Sequence, residues 1–170
     1  MNSIEQQIWG FTPEGEAVVR YTMTNAGGAS VVLSNIGAGI IAVNVPDRNG
    51  KLANVVLGYD RFESYFGDGP YMGKTPGRFA NRIGEGRFTL DGKEYRLAQN
   101  SGGQHLHGGL KGFANKVWTG RVETDRVVFS LVSPDGDDKY PGEVTVEVCY
   151  DWNDDCELEI TYYAKTDAPT

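Results

Sequence analysis

The sequence has few of the residues from which metal centres and thiol sites are built. Its 170 residues include two histidines, His105 and His107, and two cysteines, Cys149 and Cys156. The cysteines flank a turn-like segment at residues 151–155, so a disulfide across that hairpin is conceivable. No export signal precedes them, however, and we expect two free thiols. Neither cysteine has a histidine near it in sequence, so nothing supports a cysteine nucleophile.

Long apolar runs and an excess of basic residues are also missing. No apolar run approaches the length needed to cross a bilayer. The N-terminal residues MNSIEQQIWG lack the basic and apolar regions of a signal peptide, so we expect a cytoplasmic protein with no membrane partner. Acidic residues outnumber basic ones by 23 to 16, for a formal net charge of −7. This balance disfavours nucleic acid as a partner, because phosphate binding needs a basic face, and it is compatible with a small neutral substrate.

Helical periodicity is scarce, whereas glycine is abundant, with 23 residues. The pattern predicts short strands joined by turns, which is typical of an antiparallel sandwich or barrel. Alternation is clearest where Val144, Val146 and Val148 point to one face and leave the other solvated. No linker or internal repeat divides residues 1–170, so we expect one all-β domain. The predicted strands are residues 17–24, 30–35, 39–45, 54–58, 87–90, 93–97, 116–122, 127–133, 143–150 and 157–164.

Three connecting segments have distinct local signals. Asp91-Gly92 separates two short strands, and this pair favours a type I′ turn, in which both residues adopt positive φ. Residues 60–66 are predicted to form one or two helical turns with Asp60 as the N-cap. Residues 67–75 are rich in glycine and should form a surface loop, a place where a β scaffold often carries binding groups.

His105 and His107 are two residues apart, so in an extended segment both side chains would point to the same face. That arrangement invites comparison with the His-x-His metal pair of cupin-type barrels, which a glutamate ligand follows closely. Here the first acidic residue after the pair is Glu123, and the chain has no third histidine. Two imidazoles alone make a poor metal site, so we expect no metal. The remaining alternative is that each histidine simply hydrogen-bonds loop backbone.

Asn81-Arg82 lies just before two closely spaced glycines, where the backbone is expected to bend. A guanidinium offers a fork of donors suited to paired acceptor oxygens, and vicinal sugar hydroxyls present such acceptors. Because Arg78 and Arg87 lie close by in sequence, the alternative is that these arginines form a solvated strand face. Three aromatic residues are candidates for a sugar-stacking surface, although we expect them in the core or at the rim: Phe66, Tyr71 and Trp118.

Five segments together resemble the aldose 1-epimerases, also called galactose mutarotases. They are GRFANRIGEGRF at residues 77–88, LDGKEYRL at 90–97, NSGGQHLHGG at 100–109, KGFANKVW at 111–118 and SPDGDDKYPG at 133–142. Their order and spacing match, and the resemblance runs from about residue 37 to residue 169. It implies an antiparallel β-supersandwich of the galactose mutarotase type, of which this chain holds the N-terminal part.

The resemblance also implies an activity and a set of site residues. Family members interconvert the α and β anomers of free aldohexoses such as galactose or glucose, without a metal or cofactor. A glutamate removes the proton of the anomeric hydroxyl while a histidine protonates the ring oxygen, and the opened ring closes on the other face. Asn81, Arg82 and His107 fall on the sugar-binding positions, where His107 orients the substrate. Arg78 and His105 fall beside these positions and are expected to support them.

The sequence departs from the family pattern in one respect. The general-acid histidine belongs to an Asn-His-x-Tyr-Phe motif, and the general-base glutamate lies nearer the family C-terminus. Both positions fall beyond Thr170, so we expect the 170-residue chain alone to be inactive. The alternatives are a non-catalytic carbohydrate-binding module of the same fold and a relative of the hexose-6-phosphate epimerases. A truncated chain would also be expected to self-associate through exposed sheet edges.

Overall fold

The computed structural model describes residues 3–67 and 69–170, which form two main antiparallel sheets. The first sheet contains five strands in sequential spatial order: β1 (Ser3–Phe11), β2 (Ala17–Thr24), β3 (Ser30–Ser34), β4 (Gly39–Pro46) and β5 (Leu52–Asn54). The second contains four: β10 (Thr119–Glu123), β11 (Arg126–Ser133), β12 (Val144–Trp152) and β13 (Leu158–Thr166). The prediction of an all-β, antiparallel fold is therefore confirmed.

Two small strand pairs lie between the main sheets in sequence. β6 (Arg82–Ile83) pairs with β9 (His105–Leu106), and β7 (Arg87–Leu90) pairs with β8 (Lys93–Arg96). In the described part of the chain the helical content consists of four short 3₁₀ turns: Phe62–Tyr65, Gly84–Gly86, Phe113–Asn115 and Asp137–Lys139. Within residues 3–67 and 69–170, no helix has the length and apolar character needed to cross a membrane.

The core lies between the inner faces of the two main sheets. β2 and β3 contribute Tyr21, Met23 and Leu33, and β11 and β12 contribute residues such as Phe129 and Tyr150. The Tyr21 and Phe129 rings meet edge to face, with 5.3 Å between centroids. Fully burying each such side chain stabilises the fold by roughly 1.5–3 kcal/mol. Trp118, considered above for sugar stacking, is 1% exposed and belongs to this core.

Several predicted elements need correction. β1 was not predicted, because its residues alternate poorly and most are exposed. The strand predicted at residues 54–58 is wrong: β5 ends at Asn54, and the apolar side chains of Val55 and Leu57 are 63% and 80% exposed. Asp60 is not an N-cap, since the 3₁₀ turn begins at Phe62 and no side chain caps it. The strand at residues 54–58 was predicted because the run is apolar, and it fails because these apolar side chains are exposed.

The two hairpins predicted from turn chemistry are confirmed. Asp91 and Gly92 both adopt positive φ, 50° and 77°, as the type I′ turn requires. β12 and β13 also pair, but the turn between them is residues 153–157 and not the predicted 151–155, because Asp151 and Trp152 continue β12. Cys149 lies within β12 and Cys156 in the turn, and both are free thiols.

β13 is the last strand of its sheet, so one of its backbone edges has no strand beside it within the described part of the chain. Tyr162 and Tyr163 on this strand are each 57% exposed. An unpaired edge with exposed aromatic residues is a place where strands of other chains can add. Self-association through sheet edges stays a prediction.

Candidate sugar site

The candidate site is built on the short β6–β9 pair. Arg82 lies opposite Leu106, and Ile83 lies opposite His105 in this antiparallel register. The pairing brings residues from either side of the β7–β8 hairpin together. As a result, Asn81 and His107, which flank the two strands, become direct neighbours.

Asn81 and His107 hold each other through two hydrogen bonds. The His107 N–H donates to the Asn81 carbonyl at 3.0 Å, and the Asn81 N–H donates to Nδ1 of the His107 ring at 3.0 Å. Because Nδ1 accepts a hydrogen bond from an N–H group, the neutral imidazole carries its hydrogen on Nε2. The backbone therefore selects the tautomer and leaves Nε2–H as the free donor.

The surroundings of His107 favour the neutral imidazole. Partial burial, and then the positive charge of Arg82, lower the pKa of His107 below its ordinary value of 6.5. The Tyr71 ring packs edge-on against the imidazole, with 4.9 Å between ring centroids. Of the aromatic residues proposed for sugar stacking, Tyr71 is the one that reaches the site, whereas Phe66 packs against a separate small core. Nothing in the sequence pattern indicated the contact between Tyr71 and His107.

The side chains of Asn81 and Arg82 face solvent. Neither the Arg82 guanidinium nor the side-chain amide of Asn81 makes a hydrogen bond or ion pair to any residue within 3–67 and 69–170. The guanidinium thus presents its N–H donors, and the amide presents both a donor and an acceptor. Together with Nε2–H of His107 they form a cluster of unused polar groups that can meet the hydroxyl and ring oxygens of a sugar.

Backbone conformation marks the same place. Tyr71, Asn81 and His107 adopt positive φ values of 56°, 67° and 50°. A non-glycine residue in this region costs roughly 1 kcal/mol, and such strain is often found where function requires it. Among the residues that the structure describes, nine non-glycine residues have positive φ, and three of them meet at this site.

Gly108 shows why a glycine follows His107. Its φ is 82°, and a Cβ at this position would collide with the carbonyl of Gly77. The Gly77 carbonyl in turn accepts a hydrogen bond from the N–H of Phe113 at 3.0 Å. The segments that carry Asn81 and His107 are therefore in backbone contact a few residues away from the site itself.

The expectation that the two histidines share a face is wrong. β9 ends at Leu106, and the positive φ of His107 turns its side chain away from the direction that an extended strand would give. His105 is fully buried; its Nδ1 lies 2.8 Å from the carbonyl of Ala98 and its Nε2 2.7 Å from the hydroxyl of Tyr140. Both of its nitrogens are used inside the protein, so His105 does not face a substrate.

Arg78 likewise points into the protein. All five of its N–H donors are used: Nε bonds Ser133 Oγ, Nη1 bonds the Pro141 carbonyl and Thr170 Oγ1, and Nη2 bonds the carbonyls of Ser133 and Pro134. No donor remains for a sugar. The contacts of the Arg78 guanidinium are therefore contacts within the protein.

A groove of about 510 Å³ lies beside the 76–80 segment. Phe79, Phe113 and Tyr162 are among the side chains that line it, and Phe79 is 49% exposed. The groove therefore places an apolar surface beside the residues that precede Asn81 in the chain.

Within the described residues, no group of three or more histidine, cysteine, aspartate or glutamate side chains is arranged to hold a metal ion. His105 is further unsuited to ligation because both of its ring nitrogens have protein partners. The chemistry available here is hydrogen bonding to an uncharged or acidic ligand.

Comparison with known proteins gives consistent matches. A model of the family described as aldose 1-epimerase matches residues 19–170. Galactose mutarotase of Bos taurus is 44% identical over 170 residues, which cover 100% of this chain and 49% of the relative. Aldose 1-epimerase of Escherichia coli (strain K12) is 35% identical over 158 residues, covering 92% of this chain and 46% of the relative.

Two solved structures share the fold. Galactose 1-epimerase from Lactobacillus acidophilus NCFM superposes with a TM-score of 0.84 at 25% identity, covering 98% of this chain and 49% of that chain. The GalM/aldose epimerase homologue from C. elegans gives a TM-score of 0.81 at 31% identity, covering 98% of this chain and 47% of that chain. The chain spans about half the length of the curated relatives it matches.

Proposed function

The chain belongs to the aldose 1-epimerase family, and on this basis we propose that it forms the sugar-holding part of a site that interconverts the α and β anomers of a free aldohexose. Galactose and glucose are the proposed substrates. The observation that carries the proposal is the cluster of unused polar groups on Asn81, Arg82 and His107. These are the three residues that the family resemblance assigns to sugar binding.

Each of the three residues has a distinct proposed role. Arg82 donates to two neighbouring hydroxyl oxygens, since its planar fork fits vicinal acceptors. Asn81 bonds a hydroxyl through its amide, which both donates and accepts. Nε2–H of His107 donates to an oxygen near the sugar ring and fixes the orientation of the ring.

The proton transfers belong to other residues in this proposal. In the family mechanism a glutamate takes the proton of the anomeric hydroxyl and a histidine protonates the ring oxygen, so that the C1–O5 bond opens. Rotation about C1–C2 and closure on the other face return both protons. The resemblance places this acid and base in the half of the relatives that the present chain does not match. His107 is a poor substitute for the acid, because its depressed pKa keeps it neutral near pH 7.

Sugar binding is tested by titrating the 170-residue chain with galactose and following the NMR signals of the His107 ring and the side-chain amide of Asn81. We expect saturable shifts at about 50 mM sugar, a range suited to a weak millimolar site. Arg82→Ala should weaken binding at least about tenfold, because it removes both of the charge-assisted hydrogen bonds that Arg82 is proposed to donate. Arg121→Ala, which removes an exposed arginine from β10, is the matched control and should leave the titration unchanged. Wild-type signals that do not move at all would refute the sugar site.

Turnover is tested separately by polarimetry on freshly dissolved α-D-galactose. The 170-residue chain alone should not exceed the rate in buffer, because it supplies the sugar-holding groups without the acid and base. A rate well above buffer that is lost in His107→Ala would contradict this division of roles. Binding without turnover is also what a non-catalytic carbohydrate-binding module would show. Glucose 6-phosphate binding more tightly than glucose in the same titration would favour the hexose-6-phosphate epimerase alternative.

A further inference from the structure

Residues 133–142, which comprise the last residue of β11 and most of the loop that leads to β12, contact both of the segments that carry the sugar-facing side chains. We propose that this loop, called the brace loop below, positions Asn81, Arg82 and His107 for sugar binding. It does so by holding Arg78, which shortly precedes Asn81, and His105, which shortly precedes His107. This inference rests on the proposed function, because it concerns how the same site is kept in its binding geometry.

The first point of attachment is Arg78, three residues before Asn81. Four of its five hydrogen bonds go to the brace loop, at 3.0 Å to Ser133 Oγ and at 2.8–2.9 Å to the carbonyls of Ser133, Pro134 and Pro141. A planar guanidinium bonded on all sides cannot rotate or slide without breaking several bonds at once. The backbone at Arg78 is therefore fixed relative to the brace loop, and little chain separates it from Asn81.

The second point of attachment is His105, two residues before His107. Its Nδ1 lies 2.8 Å from the carbonyl of Ala98, and a carbonyl only accepts, so Nδ1 carries the hydrogen and Nε2 is an acceptor. The hydroxyl of Tyr140, in the brace loop, donates to this Nε2 at 2.7 Å. Burial raises the pKa of Tyr140 above its ordinary value, so the phenol keeps the proton that it donates.

Internal bonds make the brace loop itself rigid. Ser133 Oγ accepts from Arg78 and donates to Asp137 Oδ2 at 2.6 Å, and Lys116 Nζ bonds the same carboxylate oxygen at 2.6 Å. Burial opposes ionisation of Asp137, but the bonds from Lys116 and Ser133 lower its pKa below the ordinary value. The N–H of Gly142 donates to Asp135 Oδ1 at 2.6 Å and closes the loop.

Tyr140 joins the two attachments. Its ring lies under the Arg78 guanidinium, with 5.8 Å from the guanidinium carbon to the ring centroid, while its hydroxyl reaches His105. The Phe88 ring, from the β7–β8 hairpin, stacks on Tyr140 at 6.1 Å. One side chain of the brace loop thus contacts the arginine before Asn81 and the histidine before His107. Any shift of Tyr140 is transmitted to both halves of the sugar site.

The test uses Tyr140→Phe in the 170-residue chain, with Tyr65→Phe as the matched control. Tyr65 is fully buried and its hydroxyl accepts a hydrogen bond from the Tyr59 N–H at 2.9 Å, in the small core away from the brace loop. Both variants lose one buried hydroxyl. We expect galactose affinity to fall about tenfold in Tyr140→Phe, as it would if losing this bond left about a tenth of the molecules in the binding geometry, and to stay unchanged in Tyr65→Phe.

Arg78→Lys provides a second, independent variant, because it keeps the charge but loses the fork. It should weaken galactose binding in the same direction, and it decides the matter if Tyr140→Phe does not fold. Unchanged affinity in a folded variant of either kind would overturn the proposal and leave the brace loop as a stabilising network only.

A readout that does not need sugar separates failure of this inference from failure of the proposed function. Hydrogen exchange of the backbone amides at residues 79–82 and 106–108 should quicken in Tyr140→Phe more than the exchange elsewhere in the chain. Tyr65→Phe should not produce this localised change. If the wild-type chain binds no galactose but the exchange pattern appears, the brace is supported and the sugar site is refuted. If the pattern is absent, the brace is refuted whatever the sugar does.

Discussion

The molecule contains two arginine–histidine pairs that are close in sequence and differ in nearly every contact. The two arginines are four residues apart, and the two histidines are two residues apart. The inner pair is Arg78 with His105, and the outer pair is Arg82 with His107. Every N–H donor of Arg78 and both ring nitrogens of His105 bond other parts of the protein. Arg82 has no such bond within the described chain, and His107 uses Nδ1 alone. Residue type therefore says little here, and the state of each donor decides between a structural and a binding role.

The cause of the difference is local backbone geometry. β6 and β9 are two residues long, and Arg82 and His105 lie on them with opposite exposure. His107 leaves β9 with positive φ, so it does not follow His105 into the interior. An uninterrupted strand would have buried both histidines or exposed both. The short strands therefore allow one segment to supply a buried residue, His105, and a partly exposed residue, His107, two positions apart.

The largest expected contrast is between Arg78→Met and Arg82→Met. Arg78→Met leaves the brace-loop carbonyls without the hydrogen-bond donors that Arg78 supplies, so the free energy of unfolding should fall by about 2–4 kcal/mol. Arg82→Met removes an exposed, unpaired side chain and should change the free energy of unfolding by no more than about 0.5 kcal/mol. Urea denaturation followed by tryptophan fluorescence measures both.

Galactose titration of Arg82→Met completes this comparison. The variant should bind sugar at least about tenfold more weakly although its stability is unchanged. Equal destabilisation by the two substitutions would mean that Arg82 has structural partners and that the inner and outer pairs do not differ.

A smaller contrast is expected between His105→Leu and His107→Leu. His105→Leu leaves the Ala98 carbonyl and the Tyr140 hydroxyl unsatisfied in the interior, at a cost of about 1–3 kcal/mol. His107→Leu frees only the exposed N–H of Asn81, which water can satisfy, and should cost less than about 1 kcal/mol. Thermal unfolding by circular dichroism checks this order. If His107→Leu lowers the stability more than His105→Leu does, the assignment of His105 to the inner pair is wrong.

Much of this arrangement could be predicted, for identifiable reasons. The β12–β13 hairpin and the Asp91-Gly92 turn follow from alternation and from turn chemistry, which are local signals. Asn81, Arg82 and His107 were proposed as the sugar-binding residues by resemblance, since residue type alone would equally have chosen Arg78 and His105. The difference between the two histidines was missed because it depends on a single φ angle. The partnership of Tyr71 with His107 was missed because it depends on how a distant loop packs.

β1 and β5 show the limits of the fold prediction. β1 is an edge strand with a largely exposed surface, so it does not need the apolar alternation that identifies buried strands. The apolar residues after β5 are exposed rather than paired, which a single-sequence pattern does not reveal. Both errors lie at the margins of the first sheet.

The smallest expected effect concerns the pH response of the outer pair. The folded-state pKa of His107 lies below 6.5, chiefly through burial and then through Arg82. As pH falls through 6.5, the unfolded chain therefore takes up this proton before the folded chain does. The stability associated with the neutral ring is fully present above 6.5 and is lost as pH falls through the folded-state pKa.

NMR titration of the His107 ring in wild type, Arg82→Met and Arg121→Met tests that response directly. Removing the Arg82 charge should raise the pKa of His107 toward 6.5, whereas Arg121→Met on β10 should not move it. Sugar affinity should decline over the same pH range, because a protonated Nδ1 can no longer accept the Asn81 N–H and the ring loses its fixed orientation. If the pKa of His107 is the same in Arg82→Met as in wild type, the two side chains do not interact. Arg82 and His107 could then no longer be treated as one pair.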